Sequence, residues 1–159
     1  MKVLCVVGKS NSGKTALIEG VVPILKKKGL VVLVIKHAKE FDIDREGKDS
    51  WRIFRSGADV VITSKEKTAF IGRIPDDLDT LIEIFKDKYD LILTEGFSSS
   101  NYPKIVVLKD GEDLRSYTNV IAVVADFNVD FQPKFRRDDY ENIANFMISW
   151  IKSACPSPF

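Results

Sequence analysis

The chain has 159 residues, of which 45% are hydrophobic and 30% charged, a composition typical of one globular domain. Its 24 basic residues nearly balance 23 acidic ones, so the charge gives no signal for binding nucleic acid or an anionic membrane. No apolar run approaches the roughly 20 residues of a membrane span, and Cys5 and Cys155 have neither metal-type nor disulfide spacing. We therefore expect a single cytoplasmic domain over residues 1–159, with neither nucleic acid nor a membrane as partner.

The first 35 residues predict a strand, a glycine-rich turn, a helix and a second strand. Residues 3–7 are a continuous apolar run, as expected of a parallel strand buried on both faces. The helix that follows contains Pro23, which is expected to bend it, and ends at Gly29 behind three lysines. Residues 30–35 predict another buried strand. The buried face of the helix is predicted from its periodic apolar residues, Leu17, Ile18, Val21, Val22 and Leu25.

A charged segment, residues 36–48, interrupts this alternation. It has no hydrophobic period, and a loop of this length inside a compact domain is usually functional. Beyond it, apolar patterns predict helices over 49–56, from Pro75 onward, and from Asp138, which has capping-box spacing to Glu141. Short apolar runs predict strands at 59–63, 68–71, 91–93, 105–108 and 120–124. This order indicates an α/β fold, an open and mostly parallel sheet flanked by helices.

Residues 8–15 match G-x-x-x-x-G-K-[ST], the phosphate-binding loop of P-loop NTPases, in the strand–loop–helix setting that the motif requires. Glycines let backbone N–H groups close on phosphate oxygens, and the helix N-terminus favours negative charge. Lys14 would reach the β- and γ-phosphates, and the Thr15 hydroxyl would coordinate Mg²⁺. We therefore predict a P-loop NTPase fold. The predicted nucleotide-binding residues are Gly8, Lys9, Ser10, Asn11, Ser12, Gly13, Lys14 and Thr15.

A second acidic residue is expected at the end of a neighbouring strand. Glu95 directly follows the run Leu-Ile-Leu-Thr, at a position that an open sheet presents to a ligand. Gly96 then lets the backbone turn away sharply. We predict that the Glu95 carboxylate binds Mg²⁺ or its waters, and we assign catalytic roles to Lys14 and Glu95. The alternative is a surface acid at a strand end.

With these residues identified, the chain resembles the molybdopterin-guanine dinucleotide biosynthesis protein B (MobB) family. The resemblance rests on residues 8–15, on Ile35-Lys36-His37…Phe41-Asp42-Ile43-Asp44…Gly47-Lys48-Asp49-Ser50…Gly57-Ala58, and on Leu93-Thr94-Glu95-Gly96-Phe97. It implies a homodimeric GTP-binding protein with weak intrinsic hydrolysis. Such a protein would assist a separate, MobA-type guanylyltransferase that attaches GMP to molybdopterin carrying molybdenum or tungsten. Family members often carry several histidines near His37, which is the only histidine here.

A more distant resemblance is to dethiobiotin synthetase, another P-loop fold with a Glu-Gly strand end. Its metal site also uses an aspartate that opens a helix after the second strand, which nominates Asp49 as a metal residue beside Thr15 and Glu95. Asp49 is equally well explained as a residue that caps or begins the helix. The alternative function implied is an ATP-dependent ligase or transferase acting on a small molecule. A third is a nucleotide-dependent interaction module without physiological turnover.

The identity of the base stays open at this stage. The Asn-Lys-x-Asp motif that reads guanine in Ras-like GTPases is missing from the sequence. Asp126 follows a late strand, where it would either accept a hydrogen bond from guanine or cap the next turn. Lys9 is expected to be solvated. The segment from Lys36 to Asp49 is predicted to respond to the ligand, because it begins at the sheet edge that presents the P-loop and Glu95.

Overall fold

A computed structural model of the chain describes residues 1–153, so Cys155 lies outside the described residues. The strands are β1 (Lys2–Val7), β2 (Val32–Lys36), β3 (Val60–Thr63), β4 (Thr68–Ile71), β5 (Leu91–Glu95), β6 (Lys104–Val107), β7 (Val120–Val124) and β8 (Lys134–Phe135). The helices are α1 (Lys14–Lys27), α2 (Asp49–Arg55), α3 (Leu78–Phe85) and α4 (Tyr140–Ser153), with a short 3₁₀ turn at Leu114–Ser116. Among the described residues, no helix is long and apolar enough to cross a membrane.

The chain forms two compact units. The core unit comprises residues 1–37 and the described residues from 82 onward, and the second unit comprises residues 38–81, so the boundary falls within α3. The core unit holds a six-stranded, entirely parallel sheet in the order β2-β5-β1-β6-β7-β8. This confirms the predicted α/β class with a mostly parallel sheet flanked by helices. The second unit holds α2 and the antiparallel hairpin β3–β4.

The core of the first unit lies between the sheet and the helices α1 and α4, which pack against each other. Alternate residues of the central strands face these helices, as the two-residue period of a strand requires, and all are buried. Helix α1 contributes its predicted stripe, of which only Val22 stays partly exposed. The fully buried residues on the helix-facing side of the strands include Leu4, Val6, Leu91, Leu93, Ile105, Val107, Ala122 and Val124.

Helix α1 ends as its sequence predicts. Gly29 has φ +89, the left-handed conformation that favours glycine, and its N–H donates to the Lys26 carbonyl. The Leu30 N–H donates to the Leu25 carbonyl, which completes the terminal hydrogen bonds. The helix continues through Pro23 without a break in its assignment. Lys26 and Lys27 place positive charge in the last turn, where the helix dipole is negative.

Two predictions about the elements were wrong in detail. Strand β2 is an edge strand and not a buried one: no strand of the described residues lies beyond it, and Val34 exposes 38% of its surface. The predicted short strands at 59–63 and 68–71 are confirmed as β3 and β4, and within residues 1–153 they pair only with each other, outside the main sheet. Helix α4 begins at Tyr140 with Asp139 before it, while Asp138 pairs with Arg136 instead of capping the helix.

Candidate functional site

The P-loop lies at the point where the strand order of the sheet reverses. Strand β1 has β5 and β2 on one side and β6, β7 and β8 on the other. In open parallel sheets, ligands bind at the carboxyl ends of the strands beside such a reversal. The loop of residues 8–13 leaves the carboxyl end of β1 there and enters α1 at Lys14. The topology therefore places the motif where a ligand site is expected.

Two P-loop positions require glycine for steric reasons. Gly8 has φ +147, and a Cβ there would lie 2.3 Å from the Val107 carbonyl oxygen and 2.7 Å from Ser12 Oγ. Gly13 has φ +98 and precedes the first helical residue. Ser12 is buried, and its hydroxyl lacks a hydrogen-bond partner among the described residues. The tight curl brings backbone groups close together, as a phosphate cradle requires.

The Lys14 side chain folds back over this loop. Its Nζ donates to the carbonyl oxygens of Gly8, at 3.0 Å, and Lys9, at 2.8 Å. A lysine in this position presents its charge directly above the loop, where the phosphates of a nucleotide would lie. Lys9 itself is exposed, which agrees with the expectation that its side chain is solvated.

Thr15 and Glu95 meet although 80 residues separate them. Thr15 Oγ1 donates to Glu95 Oε1 at 2.9 Å, and Lys36 Nζ lies 3.3 Å from the same oxygen. The Glu95 side chain is largely buried, with 13% exposed, whereas Lys36 exposes 58%. Parallel pairing of β5 with β1 and β2 aligns Glu95 with Val6 and Lys36, which fixes this meeting point. A hydroxyl and a carboxylate together are oxygen ligands of the kind that Mg²⁺ prefers.

The turn after Glu95 packs against His37. Gly96 has φ +106 and Phe97 has φ +56, so the backbone reverses as predicted. A Cβ at Gly96 would lie 3.2 Å from His37 Cβ, and the His37 and Phe97 ring centroids are 4.9 Å apart. His37 therefore packs against the turn that follows the acidic strand end.

A buried lysine anchors the loop that leads away from this turn. Lys104 is fully buried, and its Nζ donates to the carbonyl oxygens of Ser100 and Tyr102. Such a charge is tolerated in a protein interior only when it is hydrogen-bonded. Sequence reasoning missed this residue, because a single lysine at a strand start resembles any solvated lysine.

Arg137 is the second residue that sequence reasoning missed. Its guanidinium donates to the carbonyl oxygens of Ser12 and Leu108 and forms an ion pair with Asp126, at 3.1 Å. The backbone N–H of Arg137 also donates to Asp126 Oδ1 at 3.1 Å. Asp126 therefore holds the segment that leads into α4, and the two roles predicted for it from the sequence stay predictions.

Asp49 belongs to the second unit. It is the first residue of α2, and the N-cap position is taken by Lys48 without a side-chain hydrogen bond. In the preceding loop, Asp44 Oδ1 accepts hydrogen bonds from the Ser50 hydroxyl, at 3.0 Å, and from the Arg45 N–H. Asp49 thus supplies negative charge in the first turn. Its part in a metal site stays a prediction.

The family model of molybdopterin guanine dinucleotide synthesis protein B, MobB, matches residues 3–126, which include the P-loop, Glu95 and Asp126. The chain belongs to the MobB family. This confirms the resemblance that the sequence motifs carried. The matched residues include the P-loop, so the P-loop belongs to the part of the chain that the family shares.

Individual relatives agree with the assignment. The chain is similar to the molybdopterin-guanine dinucleotide biosynthesis adapter protein of Escherichia coli, with 31% identity over 156 residues covering 90% of this chain and 89% of the relative. It is similar to a crystal structure of molybdopterin-guanine biosynthesis protein B, with TM-score 0.83 and 44% identity over 94% and 99% of the two chains. It is also similar to Bacillus subtilis MobB, with TM-score 0.80, 31% identity and coverage of 94% and 97%. The MobB fold thus extends over nearly the whole chain.

Proposed function

We propose that this MobB-family protein is a GTP-binding adapter with weak GTPase activity in molybdopterin guanine dinucleotide biosynthesis. It would assist a MobA-type guanylyltransferase. The adapter role and the pathway come from the family and from the name of the Escherichia coli relative. The observation that carries nucleotide binding is the Lys14–Thr15 helix start, with Glu95 hydrogen-bonded to it, at the reversal point of the sheet.

Mg²⁺ is proposed as the metal that accompanies GTP. Thr15 Oγ1 and the Glu95 carboxylate would hold the ion or its waters, and the ion would neutralise charge on the phosphates. Lys36 lies against the same carboxylate, so it would help to orient Glu95. The residues present fit this ion, because the hydroxyl and carboxylate already lie together. Glu95→Ala should weaken GTP binding in the presence of Mg²⁺ more than it weakens GTP binding without the metal. Asp49→Ala tests the third proposed metal residue in the same titration.

Slow hydrolysis is proposed because the chain lacks a positioned glutamine. In Ras-like enzymes a glutamine orients the attacking water. The single glutamine of this chain, Gln132, precedes β8, and β8 runs parallel to β7, so Gln132 lies at the sheet edge opposite the P-loop. We expect turnover by the protein alone to stay well below the ~10 s⁻¹ typical of enzymes. Phosphate release at ordinary enzymatic rates would favour the ligase or transferase alternative.

A homodimer is proposed as the assembly. The hairpin β3–β4 places Val61 opposite Phe70, and these two side chains expose 62% and 52% of their surface. Exposed apolar pairs of this kind are typical of interaction surfaces, and closed twofold pairs are the commonest soluble oligomers. Light scattering that gives the single-chain mass of 17.9 kDa at working concentrations would contradict the proposal.

The adapter proposal is tested by reconstitution. Molybdopterin, GTP and a purified MobA-type guanylyltransferase are incubated with the wild-type chain or with Lys14→Ala, and the dinucleotide product is quantified. We expect wild-type protein to raise product formation and Lys14→Ala to raise it much less, because the variant loses the cation aimed at the phosphates. Equal stimulation by both proteins, or none by either, would contradict the proposal.

A further inference from the structure

Arg137 connects four segments of the core unit at one point. It lies in the connection from β8 to α4, 125 residues after Ser12 in the chain. Its guanidinium contacts the P-loop at the Ser12 carbonyl, the end of β6 at the Leu108 carbonyl, and the end of β7 at Asp126. These contacts lie on the opposite side of β1 from Glu95, because β6 and β7 are there. Arg137 therefore braces the P-loop on the side away from the proposed metal.

The shape of the guanidinium makes this contact specific. Arg137 exposes 33% of its side chain and Asp126 exposes 51%, so the ion pair is partly shielded from water. The planar guanidinium offers several donors in fixed directions, which lets one side chain serve two carbonyls and one carboxylate together. A lysine has a single rotating ammonium and cannot reproduce that fork. Arg136, the preceding residue, exposes 73% of its side chain and pairs with Asp138 instead.

The contact with Ser12 has a consequence for the next amide. In a planar trans peptide, the carbonyl and the following N–H point in opposite directions. Because the Ser12 carbonyl points at Arg137, the Gly13 N–H points away from Arg137. A second cation acts in the same sense, since Lys109 Nζ lies 3.5 Å from the Ser10 carbonyl. Carbonyls drawn outward leave amides facing inward, the arrangement that binds phosphate.

We propose that Arg137, held by Asp126, is a positioning residue that orients the Ser12–Gly13 peptide for phosphate binding. This role rests on the proposed nucleotide-binding function and adds to it a residue outside the motif. Arg137 acts through the P-loop backbone and touches the loop from outside. A Cβ added at Gly13 would lie 3.2 Å from Arg137 Nη1, so the guanidinium lies directly against this peptide. Diphosphate and triphosphate nucleotides should depend on it alike, because the cradle grips the phosphates that both share.

The test compares two adjacent arginines. Mg²⁺-GTP and Mg²⁺-GDP are titrated calorimetrically into wild type, Arg137→Ala, Arg137→Lys and the control Arg136→Ala, at a temperature where circular dichroism shows each protein folded. We expect Arg137→Ala to weaken the binding of both nucleotides by roughly 10-fold to 100-fold, the range typical of residues that orient the ligands of a bound metal. Arg137→Lys should lie in between, and Arg136→Ala should match wild type. A purely structural role would lower the unfolding temperature without moving these affinities.

The outcomes separate this role from the proposed function. Wild type that binds neither nucleotide overturns both. Wild type that binds, together with Arg137→Ala that binds equally well, overturns the positioning role alone. If Arg137→Ala does not fold, Arg137→Lys decides, and wild-type affinity in that variant overturns the role. Loss of GTP binding with GDP binding retained would also overturn it, because the shared cradle would then not be the part affected.

Discussion

The core unit and the second unit place their apolar residues in opposite ways. In the core unit the central strands are fully buried, with Leu4, Val6, Leu93 and Ile105 at 0% exposure. In the second unit, residues 38–81, several large apolar side chains face solvent. The exposed ones include Phe41, Ile43, Ile53, Val61, Ile62 and Phe70. The core unit therefore holds its backbone by buried packing, whereas the second unit presents apolar side chains on its surface.

The second unit is organised by polar contacts around one arginine. Arg73 lies over the Phe54 ring, 4.0 Å from its centroid, and also donates to the Phe54 carbonyl. Its own N–H donates to Asp59, and its guanidinium lies 3.9 Å from the same carboxylate. Exposed contacts of this kind stabilise a structure weakly. The P-loop and Glu95 therefore lie where buried packing holds the backbone, whereas the segment predicted to respond to ligand buries few apolar side chains.

The largest expected effect is a loss of folding stability when the core is disrupted. Ile105 is fully buried between β1 and β7, so Ile105→Ala removes packed atoms and leaves a cavity. Such changes cost about 2–5 kcal/mol of the free energy of unfolding. Ile84→Ala is the control, because Ile84 exposes 47% of its surface and should change that free energy by about 0.5 kcal/mol or less. Chemical denaturation measures both, and equal losses would show that the burial contrast has no energetic meaning.

The next effect concerns the loop that the core supports. Lys14→Ala removes the charge above the P-loop, and a desolvated charged contact is worth about 2–5 kcal/mol. We expect at least tenfold weaker nucleotide binding in calorimetry and an unchanged circular dichroism spectrum. Lys27→Ala serves as the control, because Lys27 is exposed in the last turn of α1, at the opposite end of the helix from the P-loop. Wild-type affinities for GTP and ATP in Lys14→Ala would remove the basis of the site.

Features with a local sequence signal were predicted correctly, and features that depend on distant residues were not. The buried strands and the P-loop were predicted because continuous apolar runs and fixed motif spacing are local signals. The edge position of β2 and the separate pairing of the hairpin β3–β4 were not predicted, because strand neighbours depend on long-range pairing that no local pattern encodes. Strand β8 has only two residues and gives no pattern at all. Arg137 was missed because its contact with Ser12 spans 125 positions and has no motif.

A smaller effect should appear in the second unit when the core unit binds nucleotide. The segment 36–50 buries few apolar side chains, with Phe41 75% exposed and Ile43 63% exposed. We predict that Mg²⁺ with a non-hydrolysable triphosphate slows amide hydrogen exchange across this segment in wild type, whereas Lys14→Ala shows no such slowing. Equal exchange with and without ligand in wild type would mean that the segment is only a connector.

The smallest effect lies at the start of α3, where the two units meet in the sequence. The Thr80 N–H donates to Asp77 Oδ1 at 2.8 Å, and this bond holds the pKa of Asp77 below its ordinary value of 3.8. A lowered folded-state pKa stabilises the fold fully above pH 3.8, and that stabilisation is lost as the pH falls through the folded value. Asp77→Asn should therefore unfold with less acid sensitivity below pH 3.8 than the control Asp87→Asn. Identical acid profiles in thermal unfolding would contradict this cap.

Mg²⁺-dependent GTP binding at the P-loop is tested most directly by calorimetry. The wild-type chain is titrated with GTP and with ATP, each in the presence of Mg²⁺ and again in the presence of a chelator. The account predicts that GTP binds more tightly than ATP and that the chelator weakens GTP binding, because Thr15 and Glu95 act on the phosphates through the ion. Binding of neither nucleotide, or tighter binding of ATP, would contradict it.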